Sequence, residues 1–242
     1  MPDQFSRTRR LLGDGAMAAL ARARVAVFGV GGVGGYVCEA LARSGVGAFD
    51  LVDDDTVSLT NLNRQIIALH STLDRPKVEV MRERMLDINP DADVRVWRRF
   101  FLPENADEFP FAEYDYVVDA VDTVAAKIAL IEKARAHGVP VISAMGAGNK
   151  LDPTRFRVAD VYETEVCPLA RVMRRECRKR GIERLKVVYS DEPPAACAAP
   201  EGELPPGKRQ VPASMAVAPA AAGLVLASEV IRDLIARGAP AD

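Results

Sequence analysis

The chain has 242 residues and a formal net charge of −2, so it can bury a substantial core and carries no overall field that would draw it to nucleic acid. Its four cysteines (Cys38, Cys167, Cys177, Cys197) form no C-x-x-C pair, which argues against a disulfide framework or a cysteine-rich zinc site. The opening Met1-Pro2-Asp3-Gln4 lacks the apolar stretch of a secretion signal, and a cytoplasmic location is expected.

A first helix is predicted over about Leu12 to Ala23, followed by the apolar run Val25-Ala26-Val27-Phe28. That run enters Gly29-Val30-Gly31-Gly32-Val33-Gly34-Gly35 and then a helix of small and apolar residues from Tyr36 to Ala42. Gly29, Gly31 and Gly34 read as G-x-G-x-x-G between strand and helix, the context in which a glycine turn lets phosphate approach the backbone and a helix N-terminus. A second strand near Phe49 ends in Asp53-Asp54-Asp55, placing Asp53 where a carboxylate would bind ribose hydroxyls. Beyond it stand Asn61-Leu62-Asn63-Arg64-Gln65, and then Lys77 opening a helix that runs to Ile88.

Further strands are predicted near Val94, Tyr116 and Val139, with a helix over Val124 to His137. The βαβα order predicts an α/β fold: a doubly wound, mostly parallel sheet of Rossmann type with helices on both faces. Its ligand should lie beyond the carboxyl ends of the strands, where Asp53, Asp119, Asp122 and Ser143 fall. Residues 1–160 read as the nucleotide-binding core and 161–242 as a C-terminal extension of the same domain. In the stretch leading to and forming that extension, Leu151 to Asp160 suggests an extended pair or hairpin. Pro168 to Arg180 suggests a helix, Lys186 to Tyr189 a strand, and Glu192 to Pro212, with six prolines, an irregular loop. Met215 to Ala227 is uncharged but short of the roughly 20 residues of a membrane span, so a buried helix is expected.

Hydride transfer needs no arginine aimed at phosphate, whereas nucleotidyl transfer does, because charge moves onto the leaving pyrophosphate. Arg64 offers a planar charged fork for that purpose, Lys77 a point charge, and Asp122 an oxygen ligand for Mg²⁺. Singly, each also reads as an ordinary surface pair, a solvated lysine or a helix cap. Arg171, Arg174, Arg175 and Arg178 fall at i, i+3, i+4 and i+7, one helix face able to meet a phosphate backbone or simply to be solvated.

Asp53-x-Asp55, Asn61-Leu62-x-Arg64-Gln65, the helical Lys77 and the D-x-x-D strand end at Asp119 and Asp122 resemble the adenylating superfamily of ubiquitin-activating enzymes and the HesA/MoeB/ThiF proteins. The resemblance implies ATP and Mg²⁺ as ligands. It implies Gly29, Gly31, Gly32, Gly34, Asp53, Asp55, Asn61, Arg64, Gln65, Lys77 and Asp122 around the nucleotide. It also implies a homodimer in which Arg10 reaches the partner's site. Gly146-Ala147-Gly148-Asn149, Asp152-Pro153-Thr154, the arginine helix and Val188-Tyr189-Ser190 further resemble the branch that dehydrates threonylcarbamoyladenosine in tRNA, with Cys167 where that branch has aspartate. That branch adenylates a threonyl carboxylate and closes a ring with loss of AMP. Activation of a sulfur-carrier protein, which usually accompanies zinc-binding cysteine pairs, is the alternative. An NAD-dependent oxidoreductase or NAD-binding regulator is a third reading.

Overall fold

A computed structural model describes residues 3–198 and 212–238. Seven strands form one sheet in the order β3-β2-β1-β4-β5-β7-β6: β1 (Arg24–Phe28), β2 (Ala48–Val52), β3 (Asp93–Trp97), β4 (Tyr116–Asp119), β5 (Val141–Ala144), β6 (Phe156–Asp160) and β7 (Lys186–Ser190). All neighbours are parallel except β6, which pairs antiparallel with β7 at the edge. The central strands are buried on both faces, as their near-continuous Val, Ile, Leu and Phe content requires.

The helices are α1 (Ser6–Leu12), α2 (Asp14–Arg22), α3 (Gly34–Arg43), α4 (Lys77–Ile88), α5 (Val124–Ala136), α6 (Pro168–Lys179) and α7 (Val217–Gly238). One face of the sheet is covered by α3, α4 and α7, whose apolar side chains join Val25, Val27 and Leu51 in the largest core cluster. The other face carries α5 and a knot of aromatic rings around Phe28, with Phe101 at 5.0 Å and Phe109 at 5.6 Å between ring centres.

Three local expectations change. The helix expected over Leu12 to Ala23 starts at Asp14 as α2, and a separate helix not expected from the sequence, α1, precedes it, the two being divided at Gly13 with φ 82°. The strand expected near Val139 begins at Val141, beyond Pro140. Leu151 to Asp160 is not a hairpin: a single 3-10 turn at Pro153–Arg155 leads into β6, whose partner β7 lies about thirty residues on. The stretch from Met215 does lead into a helix, α7, which packs across α3 and α2. Pro219 is tolerated there because first-turn N–H groups need no helical partner. No helix among the described residues is long and apolar enough to cross a membrane. Most of the Pro-rich segment, residues 199–211, lies outside the described residues.

The strand order reverses direction between β1 and β4, which opens a crevice at their carboxyl ends. Two glycines make that crevice possible. A Cβ at Gly34 would stand 1.8 Å from the Gly29 carbonyl oxygen, and one at Gly29 (φ 89°) would stand 2.6 Å from the Ala120 carbonyl oxygen. Neither obstacle is a side chain that can move aside. Gly34→Ala is therefore expected to cost about 3 kcal/mol or more, visible as a large fall in thermal unfolding midpoint, because backbone must shift. Gly15→Ala, where nothing lies within 4 Å, is the control and should leave the midpoint near native.

Candidate active site

A cavity of about 510 Å³ opens at the crevice. Its floor is the turn Gly29-Val30-Gly31-Gly32, with α3 springing from Gly34 directly behind it. Gly34 itself does not line the cavity; its role is the close packing described above.

Asp53 follows β2 and is almost enclosed, with 11% of its side chain exposed. One carboxylate oxygen accepts from the Val30 N–H at 2.7 Å and the other from the Asp55 N–H at 2.9 Å, so the residue ties the β2 end to the glycine turn. Burial raises its pKa, against the opposing pull of Lys77 and the two backbone donors. Lys77, the first residue of α4, is buried and places its ammonium 2.6 Å from Asp55 and 4.0 Å from Asp53. Its own N–H donates to the Asp55 carbonyl at 3.0 Å, so the 53–55 turn and the α4 start form one unit. The Asp53, Asp54 and Asp55 carboxylates lie close enough together to contact one ion. Asp53 and Asp55 are, however, already engaged by backbone donors and by Lys77.

The segment after β2 forms a 3-10 turn at Leu59–Asn61, closed by the Asn61 side-chain carbonyl accepting from the Ser58 N–H at 3.1 Å. Arg64 lines the cavity, and its guanidinium donates to the Thr60 carbonyl at 2.8 Å and to Asn63 Oδ1 at 2.9 Å. Gln65 is buried beside Gly31 with its Oε1 unpartnered, the only such buried side-chain atom among the described residues. A buried amide oxygen without a donor costs about 1–3 kcal/mol. Asp122 lines the cavity just before α5, whose N-cap position is held by Thr123.

The structure thus gathers Gly29, Gly31, Gly32, Asp53 and Asp55 with Asn61, Arg64, Gln65, Lys77 and Asp122 around one cavity. Arg10 is not among them: it is exposed on α1. The sequence reading missed the wall formed by Arg99, Phe100 and Phe101 after β3, and the return of the chain at Pro212, Ser214 and Pro219. It also gave no role to Asn63, whose amide donates to the Ser214 carbonyl at 2.9 Å while its oxygen receives Arg64. Its place inside the Asn61-to-Gln65 motif was the available signal; its partner, 151 residues away, was not.

The four arginines of α6 do not act alike. Arg174 is held inward, donating to the Thr164 carbonyl at 2.7 Å and to the Thr164 hydroxyl. Arg178 lies over the Tyr162 ring at 5.2 Å. Arg171 and Arg175 are exposed, Arg175 touching Glu176 at 3.2 Å. Arg180, Lys179 and Arg175 hold the Glu176 carboxyl down at about 2, so part of the basic charge is neutralised in place. Cys167, at the start of α6, is buried against Gly146.

Residues 5–241 match the model of the ThiF family. The chain belongs to that family. It is 42% identical over 244 residues to tRNA threonylcarbamoyladenosine dehydratase of Bacillus subtilis (strain 168), covering 97% of this chain and 96% of that protein. The crystal structure of Escherichia coli tRNA N6-threonylcarbamoyladenosine dehydratase in complex with ATP superposes with a TM-score of 0.87 at 35% identity, over 97% of this chain and 94% of that one. The sulfur carrier protein ThiS adenylyltransferase of Escherichia coli (strain K12) is 35% identical over 130 residues, 53% of this chain and 51% of that protein.

The raised pKa of Asp53 gives a pH test. A carboxylate accepts from ribose hydroxyls through both oxygens, and protonation turns one of them into a donor. Since burial favours the protonated form in the folded protein, nucleotide affinity should begin to fall on acidification above the ordinary aspartate value of about 3.9. By the same sign, the charged Asp53 lowers the stability of the ligand-free fold at neutral pH, and that penalty shrinks as pH falls through the raised value. Calorimetric titration with ATP across pH, repeated with Asp53→Ala, measures this. The variant should bind more weakly and lose that part of the pH dependence.

Proposed function

We propose that this protein uses ATP to adenylate the threonyl carboxylate of N6-threonylcarbamoyladenosine in tRNA, and that the activated carbonyl is then closed into a ring. The observation that carries the nucleotide part is the cavity at the β1–β4 switch, with a glycine turn, Asp53, Arg64 and Lys77 on its walls. The tRNA part is supported by full-length similarity to the Bacillus subtilis dehydratase.

The chemistry follows from the weakness of a carboxylate as an electrophile. Its oxygen attacks the α-phosphorus of ATP, the bond to the β-phosphate breaks, and pyrophosphate leaves with the negative charge. Asp53 orients the ribose, while the glycine turn, Asn61 and Gln65 seat the phosphates. Arg64 and Lys77 stabilise charge on the leaving group. Asp122 is the residue that would hold Mg²⁺, which neutralises phosphate charge when bound. The carbamoyl nitrogen or oxygen of the same nucleotide then attacks the acyl carbon, a carbamoyl N–H proton is lost and AMP departs, so the net change is loss of water. Ring closure within one molecule has a high effective concentration and needs no enzyme nucleophile. The reaction would take place in the cytoplasm.

Incubation with ATP and either threonylcarbamoyladenosine-containing tRNA or a sulfur-carrier protein should yield AMP only with the tRNA. AMP formed with the carrier alone would favour the sulfur-carrier reading, and tight NAD(H) binding without ATP binding would overturn both. Arg64→Ala should slow AMP formation more than it weakens ATP binding.

Two finer features belong to the same reading. Arg10, exposed on α1, is proposed to complete the site of a second copy in a homodimer. Mixing inactive Arg10→Ala with inactive Asp122→Ala protein should then restore part of the activity, and a strictly monomeric active enzyme in light scattering would refute it. The α6 face is proposed to meet tRNA phosphates, chiefly through Arg171 and Arg175, because Arg174 and Arg178 are held by Thr164 and Tyr162. Arg171→Glu/Arg175→Glu should weaken tRNA binding and flatten its salt dependence while leaving ATP affinity intact. Arg174→Glu should instead lower the unfolding midpoint. An unchanged salt slope in the double variant would reduce the helix to a solvated face.

A further inference from the structure

Lys127 is wholly buried on α5, outside the cavity, and nothing in the chemistry above uses it. Its ammonium lies 3.1 Å from both carboxylate oxygens of Asp119, 3.3 Å from Ser143 Oγ and 2.7 Å from the Ala144 carbonyl. Asp119 is equally buried; it also receives the Ser143 hydroxyl, and its Oδ1 accepts from the Val121 N–H at 3.3 Å. The cluster therefore joins the last residue of β4 to the last two residues of β5.

The chain reaches the cavity wall immediately after β4 and, past Met145 and Gly146, soon after β5. Ala120, Val121 and Asp122 follow Asp119, and Ala147 and Gly148 follow Ala144. A buried ion pair is a poor device for stability alone, since desolvation costs several kcal/mol per ion and apolar residues of similar volume often serve as well. What it supplies is direction. Asp119 and Ser143 already face each other in the β4–β5 pairing; what the ammonium adds is a fixed orientation for the Asp119 carboxylate and the Ala144 carbonyl at the points where the two strands leave the sheet.

We propose that Lys127 is a positioning residue for the adenylation site. Through the Asp119 carboxylate on one side and the Ser143 hydroxyl with the Ala144 carbonyl on the other, it fixes how the two strand ends leave the sheet toward the 120–122 and 147–148 walls, and with them the placement of Asp122. The proposal rests on the adenylation reading given above.

The test compares native protein with Lys127→Met/Asp119→Asn, which leaves no buried charge unpaired, and with Ser143→Ala, which alters no charge. AMP release, ATP affinity by calorimetry and thermal unfolding are measured on each. The double variant should unfold within a few degrees of native, yet lose roughly tenfold or more in kcat and bind ATP more weakly, with KM for tRNA unchanged. Ser143→Ala should move the same parameters by a few-fold and serves alone if the double variant does not fold. A folded variant with native kcat and native ATP affinity would show that the cluster only holds the fold, and would overturn this proposal alone. Native protein that releases no AMP would overturn the adenylation reading, and this proposal with it.

Discussion

The site depends on backbone touching backbone where β1, α3 and the end of β4 converge. Gly34 lies against the Gly29 carbonyl and Gly29 against the Ala120 carbonyl, closer than any side chain permits. This contact brings the start of α3, and with it the positive end of the helix dipole, up behind the turn. It also sets the glycine turn against the 120–122 wall. Everything else on the cavity wall is added to that frame.

Charge around the cavity is arranged under the same constraint. A chain of net charge −2 has no general attraction for a polyanion, so cations must be concentrated locally. Lys77 is buried between Asp55 and Asp53, which makes it affordable to desolvate and fixes it at the start of α4. Arg64 is held by the Thr60 carbonyl and Asn63, neutral acceptors that orient the guanidinium without cancelling its charge. Asn63 also ties this segment to Ser214, so the chain returning toward α7 is fastened to the motif that carries the arginine.

The C-terminal part is woven into the first. β7 enters the sheet between β5 and β6, and α7 lies over α3 with Gly223 against the Val33 carbonyl. Near the chain's return, Asn149 in the left-handed region (φ 56°) receives the Ala195 N–H at 2.8 Å and donates its own N–H to Ala213 at 2.7 Å. Both legs of the Pro-rich segment are thereby pinned beside Gly148, at the cavity.

The sequence by itself determined the sheet class, the glycine turn and the polar and charged residues from Asp53 to Lys77 that line the cavity. These are signalled locally: apolar runs set strands, G-x-G-x-x-G sets the turn, and Asp53, Arg64 and Lys77 follow at short spacings in one continuous segment. Tertiary structure alone decided what depends on distant partners. β6 found β7 instead of a hairpin mate, and Asn63 found Ser214. Arg174 turned inward to Thr164 although its helical spacing equals that of its neighbours. Lys127, in the sequence one lysine of an ordinary helix, became buried because Asp119 and Ser143 converge on it from two strands. Periodicity reports which face a residue shares, but the cost of burying a charge is met only by partners that the folded chain brings together.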